Sequence, residues 1–447
     1  MIGKVSFVVL VVLAGGATII TFDPPSSARS TSSIQHAHPI RPVSPARPGR
    51  PPQPAGIARP PTPARPPTPG RLPTAAQLPT ATRPPSPARP LSPARPPAGG
   101  AGPASAGTEH GAHAPIVIAH RGASAFRPEH TLLAYEVAIQ KGTDYIEPDL
   151  VSTKDHVLVV RHENELSATT DVGVHPEFAG RRTTKIINGT PVTGWFTEDF
   201  TFDELRTLRA RERFPRRRPG SSAYDGQAWI PTLEEVVQLA QKHGVGVYPE
   251  IKYSSYFASI GLPIEAPLLE ILRRHGWDDA CDPVLIQSFE TGNLKRLNSL
   301  TRLRLIQLIG SGNGLPYDLT KSGDPRTCGD LLAPDGLRQI AGYADGIGVT
   351  SARVVPIGPD GRSQPATSLI EDAHRQGLLV HVSTIRDENG KLPTDYRLGN
   401  PAARSYSRAA GNVRGWLERL FRLHVDGVLA DNPGSARAIR DRLYPGP

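Results

Sequence analysis

From residue 115 onward, short apolar runs alternate with segments of helix length, and this alternation restricts the fold more than any other feature of the chain. The runs are "PIVIAH", "YIEPDLV", "VLVVRH", "VGVYPEIK", "VLIQSF", "RLIQLIG", "DGIGVT", "LLVHVST" and "DGVLAD". Continuously apolar strands are buried on both faces, which is the condition of a parallel sheet covered by helices. Amphipathic segments lie between many of them, such as "TLLAYEVAIQKG" (131–142) and "TLEEVVQLAQKHG" (232–244). Each closes on glycine, as a helix C-terminus does. About eight such units over roughly 330 residues predict an α/β fold, a (β/α)8 TIM barrel. A doubly wound open sheet is the alternative. The stretch 170–228 is rich in Arg, Thr and Gly, lacks apolar periodicity, and is expected to be an insertion.

The N-terminal quarter cannot join that fold. Between residues 24 and 108 there is no Asp or Glu, and there are ten arginines interleaved with proline and alanine. The unit "SPARP" occurs at 44–48, 86–90 and 92–96. Proline this dense supports neither helix nor sheet hydrogen bonding, and too few apolar side chains exist to form a core. Residues 24–111 are therefore expected to be a disordered linker, extended at about 3 Å per residue. The barrel domain is expected over 112–447. The chain has a formal net charge of +9, but without 24–108, Lys4 and Asp23 the rest holds 40 basic and 41 acidic residues. The positive charge belongs to the linker, so no nucleic-acid partner is expected. It suits polyanions such as cell-wall polymers or acidic lipid surfaces; a solvated spacer without a partner is the plainer alternative.

Lys4 and the apolar run 5–22 mark residues 1–23 as an export signal or a membrane anchor, since a span needs roughly 17 residues. Both readings place the protein outside the cytoplasm, secreted or associated with the envelope. There Cys281 and Cys328 could pair; two free thiols are the alternative.

Polar residues cluster where the apolar runs end, which in a barrel is the catalytic edge. Glu147 and Asp149 are two apart in "YIEPDLV" and share a strand face. Pro148 between them cannot donate to the ladder, so regular pairing is expected to lapse there. "VYPEIK" repeats the arrangement with Pro249, Glu250 and Lys252. Three carboxylates at one mouth repel unless something positive sits among them, and a hard cation such as Mg²⁺ or Ca²⁺ would serve. Ion pairing with Arg or Lys is the structural alternative. His120 and His162 end the runs "IVIA" and "VLVV" and can exchange protons near neutral pH. Arg121 offers a planar fork for phosphate oxygens, and Lys252 a compact charge. Carboxylates with a metal, two acid–base groups and two cations describe hydrolysis of a phosphate ester.

"HRGASAFRPEHT", "GTDYIEPDLVSTKDHVLVVRHENELSATTDV" and "YPEIK", followed in order by "IQSFE" and "DGVLADNP", resemble the glycerophosphodiester phosphodiesterases, in particular the exported type. The resemblance runs from about residue 115 to near the C-terminus. It implies a (β/α)8 barrel, a divalent cation, and hydrolysis of glycerophosphodiesters to an alcohol and sn-glycerol 3-phosphate. Carried over by motif, Glu147, Asp149 and Glu250 match the metal ligands, His120 and His162 the acid–base pair, and Arg121 and Lys252 the phosphate contacts. Motif position assigns protonation of the leaving alcohol to His162. The chain departs from the family's common residues at His130 (usually Asn), Glu163 (usually Asp) and His156 (usually Gly). Glycerol-phosphate polymers or lysophospholipids are alternative substrates, and a wall-associated binding protein on an inactive barrel is the non-catalytic alternative.

Overall fold

The structure is a computed structural model that describes residues 114–445, together with an antiparallel pairing of Val12–Leu13 with Gly16–Ala17. The expected linker, and the rest of the expected signal or anchor, lie outside the described residues. No described helix is long and apolar enough to cross a membrane.

Eight parallel strands form the centre: β1 (Ile116–Ala119), β2 (Tyr145–Ile146, resuming as Asp149–Ser152), β3 (Gly246–Val247, resuming as Glu250–Ile251), β4 (Leu285–Ser288), β5 (Arg304–Leu308), β6 (Gly346–Thr350), β7 (Leu379–Ile385) and β8 (Gly427–Ala430). Each pairs with the next, and β8 pairs with β1, so the sheet closes on itself. A helix follows every strand before the next: Leu132–Gln140, Leu233–His243, Glu265–Arg274, Thr291–Leu300, Pro334–Ala341, Leu369–Arg375, Val413–Arg422 and Pro433–Leu443. This is the closed (β/α)8 barrel and not the open sheet.

The helix signals act as expected. Thr131 caps the first helix by accepting from the Ala134 N–H. Thr232 and Glu235 form a reciprocal capping box, and Gly244 ends that helix in the left-handed region at φ +66°.

Alternate strand residues point into the barrel. Ile118, Tyr248, Leu285, Ile306 and Leu429 form a small lumen cluster, separate from the larger core. Gly246 leaves room for the ring of Tyr145 on the adjacent strand, since a Cβ there would lie 2.3 Å from it. Two residues further along the same faces stand His120, Glu250, Gln287 and Asp431. The period of two thus carries an apolar plug directly into a polar mouth.

One apolar run is not a barrel strand. "VLVV" folds back, with Leu158–Val160 running antiparallel to β2. After β2 the chain builds a side module before returning at Gly246. The module includes a hairpin of Thr183–Ile187 with Thr190–Gly194 and several short helices. A run so short carries no sign of its direction, so its apolarity alone could not separate a hairpin strand from a barrel strand. Cys281 is exposed and Cys328 buried, and both are free thiols.

Candidate active site

The carboxylate trio is built by the two interrupted strands. The ladder lapses at Glu147–Pro148 and Tyr248–Pro249 and then resumes with Glu250 opposite Asp149. Carboxylate oxygens of Glu147, Asp149 and Glu250 lie within 4.8 Å of one another, and all three residues are buried. Glu147 is held by the Arg121 N–H at 2.9 Å and by Gln287 Nε2 at 2.8 Å. Lys252 Nζ lies 2.6 Å from Glu250 Oε1 and 3.6 Å from Asp149 Oδ1. His130 Nε2 bonds Asp149 Oδ2 at 2.8 Å, and its Nδ1 meets the Tyr135 hydroxyl at 2.9 Å.

Burial and mutual repulsion act against three charges here. Burial, then Asp149 and Glu250, push the Glu147 carboxyl well above its ordinary range. Burial likewise raises Glu250 to about 7, although Lys252 opposes it. Asp149 stays well below the ordinary value, because Lys252 and His130 outweigh its own burial. Asp149 Oδ1 is buried with no hydrogen-bond partner among the described residues. Hard oxygens, an unsatisfied acceptor and frustrated charge fit a divalent cation such as Mg²⁺ or Ca²⁺.

Arg121 leaves β1 in a strained turn. His120 continues the ladder through its N–H to Ala430 O. Arg121 then takes φ +60° and Gly122 φ +83°. A Cβ at 122 would sit 2.8 Å from Ala134, so only glycine fits there. The turn aims Arg121 at Glu129, with NH1 to Oε1 at 2.9 Å, and brings its Nε 3.6 Å from Asp149. Its Nε has no hydrogen-bond partner among the described residues.

His120, Arg121 and His162 line one cavity of about 220 Å³, with Ser124, Glu129, Arg213, Phe214, Arg218, Arg386 and Asp431. His120 Nδ1 lies 2.6 Å from Asp431 Oδ1. The other Asp431 oxygen accepts from Arg218 at 2.5 Å and Arg386 at 2.8 Å. Burial, then Arg121, lower His120 to about 4, with Asp431 opposing. His162 Nδ1 meets Glu163 Oε1 at 2.5 Å, and Arg213 bridges Glu163 to Glu129. Burial, then Lys252 and Arg121, lower His162 to about 3. A larger hollow of about 530 Å³, beside Glu290, Asn293 and Asp318, contains none of these residues.

All seven residues singled out from the sequence therefore meet at one end of the barrel. His162 reaches it from the antiparallel strand rather than from a barrel strand. Sequence reasoning gave no role to His130, Gln287, Asp431, Arg213, Arg218 or Arg386. Gln287 and Asp431 stood inside quoted motifs and continue the lumen faces, a signal that register could have exposed. Arg213 and Arg218 come from the aperiodic insertion, where no pattern marked them. His130 takes φ +56° and His156 φ +63°, left-handed positions that suit the family's Asn and Gly.

The model of the glycerophosphoryl diester phosphodiesterase family matches residues 120–435. A glycerophosphodiester phosphodiesterase of Arabidopsis thaliana is 33% identical over 347 residues, covering 74% of this chain and 88% of the relative. One from Haemophilus influenzae is 29% identical over 306 residues, covering 61% of this chain and 79% of the relative. A solved structure from Silicibacter pomeroyi, assigned to the same class, matches with TM-score 0.50 at 20% identity, covering 74% of this chain and 95% of that one.

Proposed function

This chain belongs to the glycerophosphoryl diester phosphodiesterase family and is a phosphoric diester hydrolase, and from that premise we propose that it cleaves glycerophosphodiesters with one divalent cation, Ca²⁺ or Mg²⁺, held by Glu147, Asp149 and Glu250. The observation that carries this reading is the carboxylate trio beside a cavity lined by two imidazoles and Arg121. The cation would supply positive charge against the phosphate oxygens. Arg121 binds and orients the phosphate, its Nε having no hydrogen-bond acceptor among the described residues, and Lys252 adds a fixed charge.

The two imidazoles divide the proton work. We assign leaving-group protonation to His120, reversing the assignment from motif position. The Asp431 carboxylate, held well below its ordinary value against its own burial by His120, then Arg386 and Arg218, favours the imidazolium at His120 against burial and Arg121. His162 faces Lys252 in addition to Arg121, and together with burial these disfavour a proton there although Glu163 favours one; we assign it the role of base. Arrival of the phosphodiester anion opposes the penalties that lower His120. Glu163 fixes the orientation of His162. The attacking oxygen is either the glycerol 2-hydroxyl or water.

The test compares His120→Ala and His162→Ala on glycerophosphocholine and on a p-nitrophenyl diester. Nitrophenolate hardly needs a proton, so losing the acid should cost roughly 10²-fold or more on the first substrate and far less on the second. Losing the base should cost alike on both. Equal losses for both variants on both substrates would remove this division of labour. Export, and contact of the linker with polyanions, are the localisation and partner that residues 1–111 support by composition.

A further inference from the structure

We propose that the cavity wall beyond His120 is a second anion subsite, so that the preferred substrates are glycerophosphodiesters whose leaving alcohol carries a further anionic group. The inference rests on the hydrolase reading above and specifies its substrate class.

The cavity is lined by four guanidiniums, from Arg121, Arg213, Arg218 and Arg386, and by the carboxylates of Glu129 and Asp431. Glu163 and Glu388 are further partners of Arg213 and Arg218.

Donor accounting shows which of these guanidiniums is open to a ligand. Arg213 is spent on Glu129 and Glu163. Arg218 is spent on Glu388, Asp431 and the Ser124 carbonyl. Arg386 is different. Its Nε donates to Asp431 at 2.8 Å, and neither terminal nitrogen has an acceptor among the described residues. Its side chain is 23% exposed, within reach of a ligand in the cavity. Lys391 and Arg217 stand nearby. Burial, then the repulsion of Arg386 and Arg217, lower the Lys391 ammonium from its ordinary value, while Glu388 and Asp431 oppose this. A cluster that repels itself is relieved by an anion.

The position specifies which part of the substrate is read. Arg386 and His120 share the Asp431 carboxylate. An anion held by Arg386 therefore lies on the side of the cavity where His120 protonates the leaving alcohol. A phosphate there meets the terminal nitrogens of Arg386 as a two-pronged donor.

The test measures kcat/KM for a matched pair, glycerophosphoglycerol and the same diester with a phosphate on its distal hydroxyl. Wild type should prefer the phosphorylated member by about tenfold or more, the scale of charge-assisted hydrogen bonds. Arg386→Gln should bring that ratio close to one. The ratio is the readout because Arg386 also touches Asp431, and a disturbed His120 would lower both rates together. Lys391→Gln, at an exposed position, should reduce the ratio about two- to fivefold, the scale of an exposed charge. A wild-type ratio near one, or a ratio that survives Arg386→Gln, overturns the subsite and leaves the hydrolase intact. If wild type cleaves neither compound with Mg²⁺ or Ca²⁺ present, both readings fall.

Discussion

Asp431→Asn alters a carboxylate that serves a reacting imidazole, His120, without touching the proposed cation. In the wild type, Oδ1 meets His120 Nδ1 at 2.6 Å, and Oδ2 accepts from both Arg218 and Arg386. An amide supplies one acceptor and one donor group. If its nitrogen faces the arginines, donors oppose donors. If it faces His120, it donates to Nδ1, and the ring can no longer carry a proton on both nitrogens. The first orientation leaves an acceptor for Nδ1–H but removes the negative charge that favours the imidazolium, and the second denies the imidazolium outright. The loss should therefore approach that of removing a general acid, roughly 10²- to 10⁴-fold in kcat on glycerophosphocholine. On a p-nitrophenyl diester it should shrink to about tenfold or less, because that leaving group departs unprotonated. A folding penalty should accompany it. Arg218, whose side chain is 6% exposed, loses a charged partner, worth about 1.5–3 kcal/mol. Urea unfolding of both proteins gives this figure separately from the kinetics. Equal kinetic losses on the two diesters would refute the claim that Asp431 acts through proton donation by His120.

Three further outcomes follow from the same geometry. Glu147→Gln and Glu250→Gln should each weaken Mg²⁺ or Ca²⁺ binding by calorimetry, about 10-fold or more by analogy with charge loss at metal sites, and full activity of either variant at limiting metal would make that residue structural. His381, buried in β7 with Nδ1 2.8 Å from the Tyr248 hydroxyl, is lowered by burial from 6.5 to about 4. Its neutral form is favoured by folding, so its stabilisation is complete above pH 6.5 and is lost as pH falls toward 4, by about 3 kcal/mol in all; urea unfolding across that window should show a slope that His381→Gln flattens, and an unchanged slope contradicts the assignment. Deleting residues 1–110 should leave activity on a small soluble diester intact, since every proposed active-site residue lies beyond them; loss of activity in a product with unchanged circular dichroism would show that the N-terminal region takes part.

The barrel was legible because its constraint is repetitive. Eight strands must each be apolar on both faces, and Ile118, Ile146, Val247, Ile286, Ile347 and Val428 satisfy that. The acidic trio was legible for a related reason: Glu147–Pro148–Asp149 and Pro249–Glu250 place charge where a buried strand should stay apolar. Direction was not legible, so "VLVVRH" passed for a barrel strand although Leu158–Val160 runs antiparallel to β2. The arginines of the insertion were not legible either. Arg213 and Arg218 act through contacts with Glu129, Glu163, Asp431 and Glu388, residues 50 to 213 positions away. No local pattern encodes such pairs. Asp431 sat in view at the end of "DGVLAD". Its role depends on β8 lying beside β1, which only closure of the sheet supplies.

The most direct test of the account is the release of sn-glycerol 3-phosphate from glycerophosphocholine by the full-length chain, followed with EDTA and then with metal returned. The account predicts release by the wild type, abolition on chelation, and recovery on adding excess Mg²⁺ or Ca²⁺. In a triple variant Glu147→Gln, Asp149→Asn, Glu250→Gln, no recovery should occur at any metal concentration. Full release in EDTA, or metal-restored release by the triple variant, would contradict a cation held by these three carboxylates.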